Sequence, residues 1–359
     1  MTVLLLIAGL IALVAGAEAL VRGASKLAIS LGVSPLVVGL TVVAFGTSAP
    51  EAAVSVGAVV GGTTDLAIGN VIGSNIFNIL MILGLSALVK PLIVHAQIVR
   101  QELPVMIGAS ILLVLFVLDG RLQVAEAVLL LLGVVAYTTF LVRQSRSATK
   151  KTQAEFAEVV EEPSSGWDRH WSVQLLLIAA GLALLVFGSD LLVTAAVTIA
   201  KSLGVSDLVI GLTIIAAGTS LPEVATSILA AMRGQRDIAV GNVIGSNTFN
   251  LLFCLGAAGV ASPDGLGVTP HVLGLDLWVM LGVAALTIPL FIPGYVVTRA
   301  NALLLIAAYV AYTAYLVLDA QANPAAASLG DALMRYAMPA MVILFILMMV
   351  RPHRHTPHP

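Results

Sequence analysis

Long apolar segments near residues 3–21, 35–61, 66–89, 103–118, 124–142, 173–193, 207–231, 238–261, 273–292, 301–318 and 332–350 dominate this chain, separated by short polar intervals. A helix needs about 20 residues to cross a hydrocarbon layer roughly 30 Å thick, and these runs lack the ten-residue alternation of a membrane β-barrel strand. The pattern predicts eleven membrane helices. One polar interval is long: 143–172 (RQSRSATKKTQAEFAEVVEEPSSGWDRHWS) is mixed in charge and reads as an exposed linker. It divides the chain into a first half, 1–142, and a second, 173–319, each with five predicted helices. Residues 320–359 add a further helix and a tail, Arg-Pro-His-Arg-His-Thr-Pro-His-Pro, that could bind metal weakly but reads rather as a solvated cytoplasmic end.

Inside the apolar pattern lies a duplication. Residues 32–84 and 204–256 align without a gap at an offset of 172 and agree at 32 of 53 positions. Helix packing asks only for similar size and polarity, so the letter-for-letter retention of Gly-Thr-Ser-x-Pro-Glu and Gly-Asn-Val-Ile-Gly-Ser-Asn-x-Phe-Asn points to a chemical demand on both copies.

Composition sharpens the class. With 59% hydrophobic and 10% charged residues, against about 25% charged in a soluble domain, the chain is an all-α integral membrane protein in contact with lipid, and nothing in it points to nucleic acid. Cys254 is the single cysteine, and its counterpart Ile82 suggests a packing role. The N-terminus has neither a basic region nor an A-x-A-like site and reads as a retained helix. With the linker in the cytoplasm, fourteen Lys and Arg residues lie inside and only Arg121, Lys201 and Arg335 outside, which predicts an external N-terminus and a cytoplasmic C-terminus. Because each half holds an odd number of helices, the second half is then inverted relative to the first. Such an inverted five-helix repeat is a secondary-transporter architecture, with its substrate site between the halves near the midplane.

Proline gives no N–H to a helix, so Pro50 and Pro222 are expected to free the carbonyls of Gly46 and Gly218. Such carbonyls are tolerated at membrane depth where they line a cavity or find another partner. Beside them stand Thr47, Ser48 and Glu51, and Thr219, Ser220 and Glu223: an all-oxygen set of the kind hard cations such as Ca²⁺ and Na⁺ take. Ser74 and Asn78, and likewise Ser246 and Asn250, are four apart on one helix face and can add neutral oxygens. Asn75 and Asn247 are expected to bridge helices, and Asp65 and Asp237 to act as N-caps. An ionised carboxylate inside a bilayer costs at least a few kcal/mol, and no Lys or Arg lies in the core of either repeat helix pair to neutralise Glu51 or Glu223. A transported cation or a proton is the expected partner. Glu18 and Asp190, also 172 apart, suit either a structural role or a place near the pathway.

The paired GTSxPE and GNxxGSNxFN blocks resemble the α-repeats of the cation/Ca²⁺ exchanger superfamily, most closely its prokaryotic Na⁺/Ca²⁺ exchangers, over residues 1 to about 319. The resemblance implies a ten-helix core and ligation of Ca²⁺ and Na⁺ by Glu51 and Glu223. It further implies roles for Thr47, Ser48, Ser74, Asn78, Thr219, Ser220 and Ser246 and for the carbonyls of Ala44 and Ala216. The chain carries Asn250 where several Na⁺/Ca²⁺ exchangers have aspartate, and proton-coupled relatives often have amides at such positions. The implied function is an antiporter in a prokaryotic inner membrane that exports Ca²⁺ against Na⁺ by alternating access, with Ca²⁺/H⁺ exchange as the alternative and no cofactor. A channel would use similar ligands but needs a continuous pore. An intramembrane hydrolase would need a catalytic constellation: HExxH is absent, no histidine lies mid-segment, and Cys254 has no histidine nearby in sequence.

Overall fold

The chain is seen here as a computed structural model that describes residues 2–147, 170–203, 214, 216–332, 335, 339, 340 and 343. Its architecture is all-α. The helices are α1 (Thr2–Leu31), α2 (Pro35–Val60), α3 (Thr64–Val89), α4 (Ile98–Val117), α5 (Val124–Ser147), α6 (Trp171–Ser202), α7 (Leu221–Met232), α8 (Arg236–Ala261), α9 (Val272–Phe291), α10 (Arg299–Ala320) and the short α11 (Ala325–Ala332). Among the described residues nine are long and apolar enough to cross a membrane. Between Leu203 and α7 the chain is described only at Ile214, over the helical turn Ala216–Thr219 and at Ser220. The expected helix at 332–350 lies almost wholly outside the described residues, as do most of the expected linker and the histidine-bearing tail.

Two outer helices are longer than the apolar pattern suggests. The run at 3–21 ends among Glu18, Arg22 and Lys26, yet α1 continues to Leu31; the run at 173–193 becomes α6, which ends at Ser202. These two helices run antiparallel in close contact. A Cβ on Gly16 would stand 2.8 Å from Gly181 O, and one on Gly181 would stand 2.6 Å from Leu20 N, so only glycine permits this approach of backbones.

Helices α3 and α8 form the buried centre. Each changes winding at the same repeat position, with a π turn at Asn78–Ile82 and at Asn250–Cys254. Two short antiparallel ladders join the halves: β1 (Leu92–Ile93) pairs with β4 (Val296–Val297), and β2 (Arg121–Leu122) with β3 (Leu266–Gly267). β1 and β3 follow the two central helices, whereas β4 and β2 precede α10 and α5.

Asp65 and Asp237 are not N-caps. Thr63 and Gln235 occupy those positions, without a side-chain capping bond, after turns made by Gly62 and Gly234 at φ 81° and 79°. Each aspartate sits one residue inside its helix, in the first turn, where the positive end of the helix dipole still favours its charge.

Candidate functional site

The helices are interrupted just before Pro50 and Pro222, and the break shapes the site. Ser48 (φ −80°, ψ 1°) and Ser220 (φ −90°, ψ 8°) leave helical geometry, and a new helix segment starts at Ala49 and at Leu221. Proline is tolerated in that first turn because its N–H would have no partner there. Glu51 and Glu223 therefore stand in the first turn of a half-helix, whose N-terminal dipole favours a carboxylate. The carbonyl of Gly218 is taken by the Ser189 hydroxyl of α6 at 2.5 Å. Position 17, the counterpart in α1, is alanine and offers no such donor.

The antiparallel packing interleaves the two motifs. Ser220 of the second copy donates to Glu51 Oε1 of the first at 2.8 Å and lies 3.4 Å from the Ser74 hydroxyl. Ser48 of the first copy lies 3.5 Å from Glu223 Oε1 of the second. Thr47 donates to Asn242 Oδ1 at 3.1 Å and lies 3.4 Å from both the Ser246 hydroxyl and the carbonyl of Ala44. The side chains of Thr47, Ser48, Glu51, Ser74, Asn78, Ser220, Glu223, Ser246 and Asn250 are all buried. Of the remaining expected residues, Thr219 is half-buried and Ala216 opens the helical turn before it.

Glu51 Oε2, Glu223 Oε2 and Asn78 Oδ1 are buried acceptors without a hydrogen-bond donor among the described residues. Nor does either carboxylate meet a Lys, Arg or His there; the ion pairs lie elsewhere, between Arg233 and Glu18, His271 and both Asp276 and Asp319, and Arg335 and Asp331. Buried polar atoms are normally satisfied. Three unsatisfied acceptors, two of them carboxylate oxygens, thus lie in one polar cluster that could take up a cation or a proton.

Asn75 and Asn247 do bridge helices: Asn75 donates to Asn247 O at 3.3 Å, and Asn78 Nδ2 approaches Asn247 Oδ1 at 3.5 Å. Asn250 donates to Asn75 Oδ1 at 3.2 Å. Sequence reasoning missed Asn70 and Asn242. Asn70 donates to the Glu51 carbonyl and the Ser55 hydroxyl at 3.3 and 3.1 Å; Asn242 donates to the Glu223 carbonyl and the Ser227 hydroxyl at 3.4 and 2.9 Å. Both amides clamp the backbone beneath a glutamate. Their invariance between the copies was the available signal. Cys254, expected only to pack, reaches the site: its Sγ lies 3.5 Å from Asn250 Oδ1 and 3.6 Å from Ser48 O.

Comparison with known proteins gives a consistent picture. The family described as sodium/calcium exchanger protein matches residues 1–143 and 173–318. The candidate antiporter CaxA of Alkalimonas amylolytica is 41% identical over 277 residues, covering 77% of this chain and 85% of CaxA. The inner membrane protein YrbG of Escherichia coli (strain K12) is 38% identical over 282 residues, covering 77% of this chain and 84% of YrbG. The solved structure of the sodium-calcium exchanger NCX_Mj, soaked with Na⁺ and Sr²⁺, superposes with a TM-score of 0.73 at 31% identity, covering 86% of this chain and 96% of that one.

Proposed function

We propose, from the premise that this chain belongs to the sodium/calcium exchanger family and is a membrane transporter exchanging Ca²⁺ for another cation, that its counter-ion is Na⁺ and that it exports Ca²⁺. The observation that carries the reading is the reciprocal pairing of the two motifs, in which each glutamate meets the serine of the other half while keeping one oxygen without a donor. Glu51 and Glu223 supply about two negative charges, balanced by one Ca²⁺ or two Na⁺. Thr47, Ser48, Ser74, Asn78, Thr219, Ser220 and Ser246 supply neutral oxygens, with Ala44 and Ala216 contributing carbonyls. Hard oxygen donors of this kind suit both ions, Ca²⁺ taking six to eight at about 2.3–2.6 Å. Asn250 belongs to the same amide network, although its oxygen already accepts a thiol.

Competition follows from charge balance: either ion neutralises the pair, so each displaces the other. The two five-helix halves, 1–142 and 173–319, are inverted about this site and expose it alternately to the two faces. The name of YrbG supports an inner-membrane location, and the fourteen-to-three bias of basic residues supports an external N-terminus and a cytoplasmic C-terminus.

Ca²⁺ uptake into proteoliposomes loaded with an outward Na⁺ gradient, an outward H⁺ gradient or neither tests the coupling. Uptake is expected under the Na⁺ gradient with the pH gradient collapsed. Uptake driven by H⁺ alone, with Na⁺ having no effect, would instead assign Ca²⁺/H⁺ exchange to the same fold. The variant Asn250→Asp adds a third acid beside Glu51 and Glu223 and is expected to strengthen proton competition with Ca²⁺.

A further inference from the structure

The duplication makes the two halves near-copies around the glutamates, but the structure breaks the copy at one pair of amides. Asn78 and Asn250 occupy the same position, at the start of the π turns Asn78–Ile82 and Asn250–Cys254. Asn78 Oδ1 is buried and receives no donor, while its Nδ2 approaches Asn247 Oδ1 at 3.5 Å. Asn250 is used at both ends: Nδ2 donates to Asn75 Oδ1 at 3.2 Å, and Oδ1 accepts the Cys254 thiol at 3.5 Å. The fourth residue after Asn78 is Ile82, which has no donor to offer. The Cys254 sulfur also lies 3.6 Å from the carbonyl of Ser48, whose hydroxyl faces Glu223.

We propose that Cys254 is a positioning residue of the exchange site: its single S–H, directed to the Asn250 amide oxygen, holds that oxygen away from the cation, so that Asn78, and not its repeat counterpart Asn250, supplies the amide oxygen. The proposal rests on the assignment of Glu51 and Glu223 as cation ligands. A thiol is a weak donor, but it acts here on an oxygen that is fully buried and on an amide whose nitrogen is already engaged. To turn toward the cation, Asn250 would have to give up both contacts. Asn78 has only its nitrogen engaged, 3.5 Å from Asn247 Oδ1, and its oxygen has no donor among the described residues to give up. An inverted repeat with two equal amides would offer a cation two equivalent positions; fixing one amide selects a single position on the side of the first half.

The test compares the half-saturating Ca²⁺ concentration for exchange in proteoliposomes of Asn78→Ala and Asn250→Ala, each in the wild-type and the Cys254→Ala background. In the wild-type background Asn78→Ala is expected to raise it about tenfold and Asn250→Ala about twofold, the larger effect reflecting a direct ligand and the smaller a packed amide. In the Cys254→Ala background the Asn250 oxygen is released, and Asn250→Ala is expected to raise it about fivefold, the effect of one neutral hydrogen-bond-sized contact. Cys254→Ser keeps a donor at the same place and should retain the wild-type ratio. A structural role for Cys254 in packing would lower expression or thermal stability without changing that ratio. Equal effects of the two asparagine substitutions in the wild-type background would overturn the proposal, even if Cys254→Ala does not fold. So would an Asn250→Ala effect that is the same with and without the thiol. If Glu51→Gln exchanges Ca²⁺ normally, the ligand assignment itself fails, whatever the asparagine pattern.

Discussion

At the scale of single residues, the groups proposed to hold the cation are the two glutamates, each buried without a cationic partner among the described residues and each touched by a serine of the opposite half. Replacing either by glutamine keeps the volume but removes a negative charge and a bidentate oxygen pair. Glu51→Gln and Glu223→Gln are therefore expected to leave a folded protein whose Ca²⁺ exchange falls at least about a hundredfold, since a ligand worth about 3 kcal/mol changes binding by that order. Proteoliposome flux, normalised to protein of wild-type melting temperature, checks this, and wild-type flux in either variant would remove that glutamate from the site. These residues were legible because the chain writes their motif twice. Their partners were less so. Nothing in the sequence says that Ser220 meets Glu51 rather than Glu223, because that choice is made by the antiparallel packing of the halves. Cys254 was hidden by its counterpart Ile82, which suggested an apolar position on both sides. Asp65 and Asp237 were misread because the glycine turns before them start each helix one residue earlier than the aspartate.

At the scale of elements, hydrophobic runs located the helices but not their ends or their changes of winding. The runs at 3–21 and 173–193 stop at charged and small residues, yet both helices continue; the extension of α1 lies against the start of α6, where a Cβ on Gly23 would stand 2.9 Å from Gln174 O. Gly181→Ala is expected to lower both the melting temperature and the yield of folded protein, because its Cβ would meet Leu20 N at 2.6 Å and Gly16 O at 2.8 Å, backbone atoms that yield only if the helices part. A wild-type melting curve for this variant would show that the helix pair is not close-packed. A second elemental feature was illegible because its carboxylates are 174 apart and its tyrosines 175, not 172. The π turns Ile98–Glu102 and Val272–Asp276 each end on a carboxylate that accepts a tyrosine hydroxyl at 2.8 Å, from Tyr137 to Glu102 and from Tyr312 to Asp276. Gln97 donates to Glu102 at 3.2 Å, and His271, at the equivalent place, lies 3.6 Å from Asp276. Glu102 is the more buried of the two carboxylates, so Tyr137→Phe should cost about 1–3 kcal/mol by leaving a buried acceptor short of a donor, and Tyr312→Phe less. Chemical or thermal denaturation of the two variants in detergent gives the order directly, and the reverse order would be evidence against the burial argument.

At the scale of the whole molecule, the two repeats carry the same motif residues but differ in what ties their outer helices down. α1 is fastened to the turn between α7 and α8: Glu18 forms an ion pair with Arg233, and Ser25 donates to Gln235 at 2.5 Å. The corresponding positions on α6 and the turn after α2 are Asp190, Gly61, Val197 and Thr63, which cannot repeat either contact, and Asp190 is exposed. Sequence reasoning noticed that Glu18 and Asp190 are 172 apart but could not separate a structural role from a place near the pathway; the packing of α1 gives Glu18 a structural one. A contact between the halves that the repeat does not duplicate stabilises one arrangement of the halves over the inverted one, and an exchanger must pass through both. Removing it should speed the step that leaves the favoured arrangement. Glu18→Gln and Arg233→Gln are each expected to raise the exchange rate about twofold to fivefold, the range open to a partly exposed pair worth up to about 1 kcal/mol. Because the two side chains act as a unit, the double variant should gain no more than either single one. Initial rates of Ca²⁺ uptake at saturating Ca²⁺ and a fixed Na⁺ gradient distinguish the outcomes. Multiplying effects in the double variant would mean that Glu18 and Arg233 act independently, and unchanged rates in all three would mean that opening of this contact does not limit the cycle.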